Sequence, residues 1–385
     1  MKTVLLRAPV LTMSGYGTHS RQVFKWLKTQ NVKIKTQPVN WGMTPWLVNP
    51  NGLNGLVGKI METCSPLNSR PDVSFQVQLP NEWDPSLAKY NVGITAAVET
   101  NFCNPEWIQM CNKMDKIIVP SKFTKDCLQN SGKLTTPVEV IPESFYDCLL
   151  TDSNENQLEV DFSTDFNFLI FGQITGNNPF TDRKNTFFTI KWLCEEFSKE
   201  KNVGIIIKTN LGRNSSIDRK NTLGVMKKII SEVRKGTYPK FYLLHGNLDP
   251  EEIKSIYKHE KVKALVSATR GEGYGLPLLE AAASGLPVLS TDWSGHLDFL
   301  KKGKSIFFNY DLEEISKGKI DGKIFMPGVK WASVKEKDFK AKVRKFYEMP
   351  EKPREWALDL SKTIKKDYSQ EAINKLYTES LKDLL

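Results

Sequence analysis

With 385 residues, 40% hydrophobic and 25% charged, the chain has an ordinary globular composition and is too long for one compact core of usual size, so two domains are expected. No apolar run reaches the roughly 18 residues that a membrane-spanning helix needs, because Asn, Lys, Asp or Glu interrupts every stretch. A net charge of +10 admits nucleic acid, an anionic membrane surface or a phosphorylated substrate as partner. The cations are dispersed, however: Lys227-Lys228 and Lys365-Lys366 extend no further and each reads as a solvated helix face.

Six cysteines (Cys64, Cys103, Cys111, Cys127, Cys148 and Cys194) lie at irregular separations without a C-x-x-C pair, which suggests neither a disulfide framework nor a zinc site. The cluster Met1-Lys2-Thr3-Val4-Leu5-Leu6-Arg7 meets a charge at once and has no small-residue cleavage site, so it reads as a first strand. A cytoplasmic protein is expected, with peripheral contact to the inner membrane face left open.

In chain order, strands are predicted over 3–7, 32–36, 73–78, 92–97, 116–119 and 138–141, with helices over 18–29, 105–113 and 121–131, the last capped by Ser121. This alternation predicts a parallel sheet covered on both faces. Between the first strand and helix lies Ser14-Gly15-Tyr16-Gly17-Thr18-His19, where ligands approach open α/β sheets. Its spacing is not G-x-G-x-x-G, and a tight turn is the plain alternative. His19 is an acceptor-side candidate or a packed core histidine.

Leu79-Pro80-Asn81-Glu82-Trp83 and Val98-Glu99-Thr100-Asn101 follow further strands and make Asn81, Glu82 and Glu99 candidates; Glu99 contacts a ligand or caps the helix near Pro105. Trp41 and Trp46 sit in a loop rich in Asn, Gly and Pro, where they stack on an acceptor sugar or anchor the loop.

The polar stretch 151–165 reads as an interdomain linker. Alternation restarts with strands over 168–171, 203–208, 240–245, 264–267, 288–290 and 305–308 and helices over 185–200, 219–235, 250–259 and 277–284. Three helices follow, over 331–348, 353–366 and 370–384, the last expected to pack back on the first domain. The domains are therefore 1–163 plus 367–385, and 164–366.

The most informative run is Gly271-Glu272-Gly273-Tyr274-Gly275-Leu276-Pro277-Leu278-Leu279-Glu280, which follows a strand and enters a helix through Pro277. The unpaired amides and dipole of a helix start attract phosphate, while carboxylates accept sugar hydroxyls, so Glu272 and Glu280 can hold a hexose and a ribose.

This run resembles the E-x7-E signature of retaining glycosyltransferases of GT-B architecture, in particular glycosyltransferase family 4. The resemblance extends to His245-Gly246-Asn247-Leu248-Asp249-Pro250-Glu251-Glu252, to Val119-Pro120-Ser121-Lys122-Phe123, and to Phe171-Gly172 leading to Asp182-Arg183-Lys184-Asn185. It implies an α/β GT-B fold, two Rossmann-like parallel-sheet domains facing across a cleft. It implies a nucleotide-diphosphate sugar as donor, with no cofactor required, and a glycan, glycolipid or nucleic-acid acceptor; a non-catalytic GT-B binding subunit is the other reading.

By the same resemblance Glu280 binds the donor ribose and Glu272 the transferred sugar, with Gly273, Tyr274, Gly275 and Leu276 against sugar and phosphate and Leu248 near the base. Arg183, Lys184 and Lys208 are the cations expected at the diphosphate, and Gly15 and Gly17 close over it. Glu272 and Glu99 are the catalytic candidates. No Asp-x-Asp pair occurs, which disfavours metal-dependent donor binding. Many relatives carry Arg directly after the glycine of Phe171-Gly172, where this chain has Gln173, so one expected cation is missing.

Overall fold

The computed structural model describes residues 1–151, 158–176 and 178–385. The chain divides into two compact units: Met1–Ser144, Gly322–Met326 and Asp367–Leu385 form the first, Phe145–Asp321 and Pro327–Lys366 the second.

The first unit is built on β1 (Thr3–Ala8), α1 (Gly15–Leu27), β2 (Lys33–Pro38), α2 (Leu56–Met61), β3 (Val73–Val77), β4 (Tyr90–Ile94), α3 (Pro105–Cys111), β5 (Lys116–Val119), α4 (Lys122–Asn130) and β6 (Val138–Val140). Its strands form one parallel sheet in the order β2-β1-β3-β4-β5-β6. Every residue of β3 is buried, as expected for a strand covered on both faces. The order places β1 between β2 and β3, so the chain leaves β1 in one direction and returns on its other side. The carboxyl ends of β1 and β3 therefore flank a topological switch point, where open α/β sheets bind ligands.

The second unit contains β7 (Phe166–Phe171), α5 (Thr186–Glu196), β8 (Val203–Thr209), α6 (Ser216–Val233), β9 (Lys240–His245), α7 (Pro250–Lys258), β10 (Val262–Ser267), α8 (Leu276–Ala283), β11 (Val288–Thr291), α9 (Leu297–Leu300) and β12 (Ile306–Phe308). Its parallel sheet runs β12-β11-β10-β7-β8-β9. Apolar strands such as Val203–Thr209, buried throughout, pack with Phe168, Leu193, Phe197 and Phe339 into the core of this unit.

Several assignments differ from the sequence expectation, among them α2, α9 and β13 (Tyr310–Glu314), which it does not contain. Residues 331–334, expected to open a helix, instead belong to β14 (Lys330–Val334), which pairs antiparallel with β13; α10 (Glu336–Glu348) and α11 (Glu351–Asp367) follow. Trp331, Ala332 and Val334 are buried through that pairing, a tertiary contact that local periodicity does not carry. Residues 145–151 and 158–163, placed by sequence with the first domain, cluster with the second, and Gly322–Met326, placed with the second, cluster with the first. Phe162 packs edge-on against Tyr242 and His259, and Leu158 N donates to Ser255 Oγ at 3.2 Å. Residues 152–157 of the expected linker lie outside the described residues.

The last helix, α12 (Gln370–Ser380), belongs to the first unit and lies on α1. Tyr377 stacks on Trp26 with ring centroids 4.9 Å apart, and Trp26 Nε1 donates to Thr378 Oγ1 at 3.0 Å. The Gln370 amide joins the same seam, donating to Gln22 O and accepting from Ser144 Oγ. No helix among the described residues is long and apolar enough to cross a membrane.

Candidate functional site

In the second unit the chain leaves β10 through Ala268, Thr269 and Arg270 and enters α8 after Gly275, whose φ of +104° is left-handed. A Cβ there would lie 3.2 Å from both His296 Cβ and Leu278 Cδ1, so glycine is required on two counts. Pro277 occupies the first turn, where its missing N–H costs nothing.

Glu272 hangs from this loop and is 5% exposed. Its Oε1 receives Lys184 Nζ at 2.6 Å and Thr269 Oγ1 at 2.9 Å, and its Oε2 receives Arg183 Nη1 at 3.1 Å. Its backbone is pinned as well: Glu272 N donates to Ser294 Oγ at 2.9 Å, and Gly295 N donates to Glu272 O at 2.9 Å. Burial alone would push the carboxyl up, but the charges of Lys184 and Arg183 outweigh it and hold it at about 2. Glu272 is thus a buried, ionised carboxylate.

The cations owe their positions to Asp182, which is itself buried. Asp182 Oδ1 accepts from Thr175 N, Thr175 Oγ1 and Lys184 N, and Oδ2 accepts from Thr186 N at the start of α5. Asn185, left-handed at φ +55°, donates to Ala268 O, and Arg270 N donates to Arg183 O. The basic loop and the glutamate loop are therefore one hydrogen-bonded structure.

Glu280 lies on α8, 4% exposed, with Tyr257 Oη donating to its Oε2 at 3.1 Å. Burial pushes its carboxyl up to about 8, the tyrosine bond partly opposing the shift. The two glutamates of the motif thus have opposite electrostatic settings, one held ionised by cations and the other favouring its proton.

Lys208 is buried on β8 with its Nζ 2.7 Å from Gly246 O and 5.3 Å from the Phe171 ring centroid; burial pushes it down to about 8, Glu252 opposing. The structure thus places it at the turn before Leu248, while Arg183 and Lys184 meet at Glu272. Leu248 is half-buried between β9 and α7. Gln173 Nε2 donates to Asn210 Oδ1 at 2.6 Å.

In the first unit Ser14 caps α1, its Oγ accepting from Gly17 N at 2.9 Å. A Cβ on Gly17 would stand 2.1 Å from Thr12 O, whereas one on Gly15 would meet nothing within 4 Å. Gly17 is needed for chain packing, and Gly15 faces open space. His19 is 2% exposed, its Nε2 3.2 Å from Tyr377 Oη and its Nδ1 3.8 Å from Glu143 Oε1. Burial pushes this imidazole down to about 3, so it is a neutral ring in the core between α1 and α12.

Asn81 and Glu82 are exposed in a single 3-10 turn after β3, where Glu82 Oε2 accepts from Leu79 N. Glu99 is half-buried beyond β4. The cap of α3 is Asn104, whose side chain accepts from Glu106 N at 2.9 Å, so Glu99 is not the cap. Burial raises the Tyr16 phenol, and the charges of Glu99 and Glu143 add to the shift.

Thr269, Tyr257, Ser294 and His296 hold the site without a signal in the sequence, and Asp182, there only part of the basic segment, takes an anchoring role. Thr269 lies three residues from Glu272; Tyr257, Ser294 and His296 meet the site only through tertiary folding. His296 is fully buried, its Nε2 2.8 Å from Thr291 O.

Residues 227–321 match the family profile described as Glycosyl transferases group 1. No curated protein sequence matches the chain significantly. Among solved structures, a glycosyltransferase from Rickettsia africae is 14% identical with a TM-score of 0.66, over 100% of this chain and 98% of that one. Sucrose-phosphate synthase from Thermosynechococcus elongatus is 12% identical with a TM-score of 0.65, over 100% and 99%. The pneumococcal O-GlcNAc transferase in complex with UDP and GlcNAc is 15% identical with a TM-score of 0.53, over 81% of this chain; the match spans 57% of that protein's length. Two six-stranded parallel sheets with flanking helices, shared with these structures, identify the fold as GT-B with two Rossmann-like units.

Proposed function

We propose that this protein transfers a sugar from a nucleotide-diphosphate sugar to a hydroxyl of a glycan or glycolipid, with the donor held by the second unit. The observation that carries the reading is the pair of buried carboxylates at α8, Glu272 bound by two cations and Glu280 bound by Tyr257. Further support comes from the family match over residues 227–321 and from the pneumococcal relative, whose structure holds UDP and GlcNAc.

In this reading Glu280 receives the ribose hydroxyls and Glu272 the transferred sugar. Arg183 and Lys184 meet the diphosphate, with the backbone of Gly273, Tyr274, Gly275 and Leu276 alongside. Departure of a nucleoside diphosphate develops negative charge, which preorganised cations stabilise. Lys208, tied to Gly246 O, is a further candidate cation for the diphosphate, and Leu248 lies toward the base.

Transfer proceeds with retention: the acceptor oxygen bonds to the anomeric carbon on the face from which the phosphate oxygen departs, and the acceptor proton passes to that phosphate oxygen. The step balances without a side-chain base or a resident cofactor, and Glu272 acts by position and charge. Asn81 and Glu82 are acceptor-side candidates on the first unit, and Glu99 is the catalytic candidate there; the ring of His19 is engaged by Tyr377 and the core.

The test is a thermal-shift screen of nucleoside diphosphates and their sugars, since a ligand raises stability with the logarithm of its concentration over Kd. One class is expected to raise Tm. Glu272→Ala and Glu280→Ala are then assayed for turnover with that donor; wild-type rates in both would overturn the assignment.

A further inference from the structure

In a chain that is 25% charged, residues 37–58 contain no Asp, Glu, Lys or Arg. This stretch leaves the carboxyl end of β2 and is fastened to the loop between β1 and α1. Met13 N donates to Pro45 O at 2.9 Å, Leu47 N donates to Leu11 O at 2.7 Å, and Thr12 pairs with Trp46 in an isolated antiparallel bridge. Trp41 stacks on Tyr16, ring centroids 3.9 Å apart and planes at 21°.

Tyr16 is itself anchored at the end of β4, its hydroxyl 3.0 Å from Thr95 Oγ1 and accepting from Ala96 N at 3.0 Å. Gln78 reaches the same strand end from β3, its N donating to Ile94 O at 3.1 Å. Gln78 is 4% exposed, and its amide oxygen is buried without a hydrogen-bond partner among the described residues.

Tyr16 and Gln78 thus meet at the end of β4, Tyr16 through its hydroxyl and Gln78 through its backbone, and Trp41 stacks on Tyr16. Trp46 is 39% exposed, so its indole is not spent in the core. A buried acceptor left unpaired costs about 1–3 kcal/mol, a cost a ligand hydroxyl can relieve. The position is the switch point of the sheet, flanked by the carboxyl ends of β1 and β3.

We propose that Tyr16, Trp41, Trp46 and Gln78 form a subsite for a neutral pyranose, the sugar that the acceptor presents; this assignment rests on the glycosyl-transfer reading above. A pyranose offers an apolar C–H face to an indole and hydroxyls to an amide oxygen, and neither contact needs charge. A phosphorylated ligand or an anionic headgroup would find no cation in residues 37–58. An acyl chain would leave the Gln78 oxygen unpaired.

The test uses the full chain labelled with fluorotryptophan, whose nine indoles give separate fluorine signals. Trp41→Phe and Trp46→Phe identify the two that matter. The labelled protein is titrated with the methyl glycosides of glucose, mannose, galactose and N-acetylglucosamine.

At least one glycoside is expected to move the Trp41 and Trp46 signals. Gln78→Leu and Trp46→Ala are expected to weaken that binding about tenfold with Tm maintained. The proposal is overturned if no glycoside moves either signal, if both variants bind as tightly as wild type, or if the signals respond only to phosphatidylcholine vesicles, which would make the loop a membrane contact. Calorimetry with uridine, guanosine and adenosine diphosphates on the same proteins reads the donor separately. Diphosphate binding is expected to be unchanged by Gln78→Leu and Trp46→Ala. If wild type binds none of the three, the transfer reading fails while the glycoside shifts still report on the subsite.

Discussion

Lys184 Nζ lies 2.6 Å from Glu272 Oε1, and both groups are largely buried. With Arg183 on the other oxygen, one carboxylate offsets part of the charge of the two cations proposed for the donor diphosphate. On the proposed reading, donor binding shares these cations between Glu272 and phosphate; in the structure Glu272 holds both in register.

This pairing has a pH signature. Glu272 is held at about 2 against an ordinary 4.5, so its stabilisation is fully present above 4.5 and is lost as pH falls toward 2. The size is on the order of 3 kcal/mol. Urea midpoints measured between these limits are expected to fall more steeply for wild type than for Glu272→Gln. Lys184→Met, which leaves the buried carboxylate with one cation fewer, is expected to lower stability by about 3 kcal/mol at neutral pH. Parallel pH slopes for wild type and Glu272→Gln would refute the electrostatic account.

Glu280 has the opposite sign. Its carboxyl is pushed up to about 8, so the stability it contributes is complete below 4.5 and is lost as pH rises through 8. A ribose diol donates best to the ionised form, so nucleotide affinity is expected to rise as pH passes through about 8, with release of a proton on binding. Glu280→Gln flattens that dependence. Tyr257→Phe removes a bond that favours the carboxylate and moves the transition to higher pH. Calorimetry in buffers of different ionisation enthalpy measures the proton release; none at pH 7 would contradict the assignment.

The two glycines before the buried face of α1 separate packing from ligand access. Gly17→Ala drives a Cβ to 2.1 Å from Thr12 O and is expected to cost about 2–4 kcal/mol. Gly15→Ala meets nothing within 4 Å, so Tm is expected to hold or rise slightly. Thermal melts of the two variants decide the point, and equal losses would show that the loop rearranges.

The strands of both sheets were legible because buried parallel strands read as apolar runs, as in Val203–Thr209, bounded by turn residues. Residues 331–334 were misread because Trp331, Ala332 and Val334 fit helical as well as strand spacing, and their partner, Tyr310–Glu314, is a charged edge with weak strand propensity. Glu272 and Glu280 are legible from the run 271–280, and Arg183 and Lys184 from the segment 182–185, each through its likeness to a known motif. Thr269, Tyr257 and Ser294 carry no sequence signal because their bonds to the two glutamates form only after folding. His19 could not be decided from sequence, since a helix position says nothing of Tyr377, 358 residues away.

Gln173 follows Gly172 just past the end of β7, and its amide donates to Asn210 Oδ1. Gly172 packs near the Lys184 stem, a Cβ there falling 3.5 Å from Lys184 Cδ, so the position borders the cation pair. Gln173→Arg keeps a donor for Asn210 and adds a guanidinium that can bind phosphate oxygens in pairs. Diphosphate affinity is expected to tighten about threefold to tenfold, while nucleoside affinity stays unchanged, because only the phosphates gain a partner. Added salt should narrow the difference, since part of the gain is screened. Equal tightening for nucleoside and diphosphate would place Gln173 at the base or ribose instead.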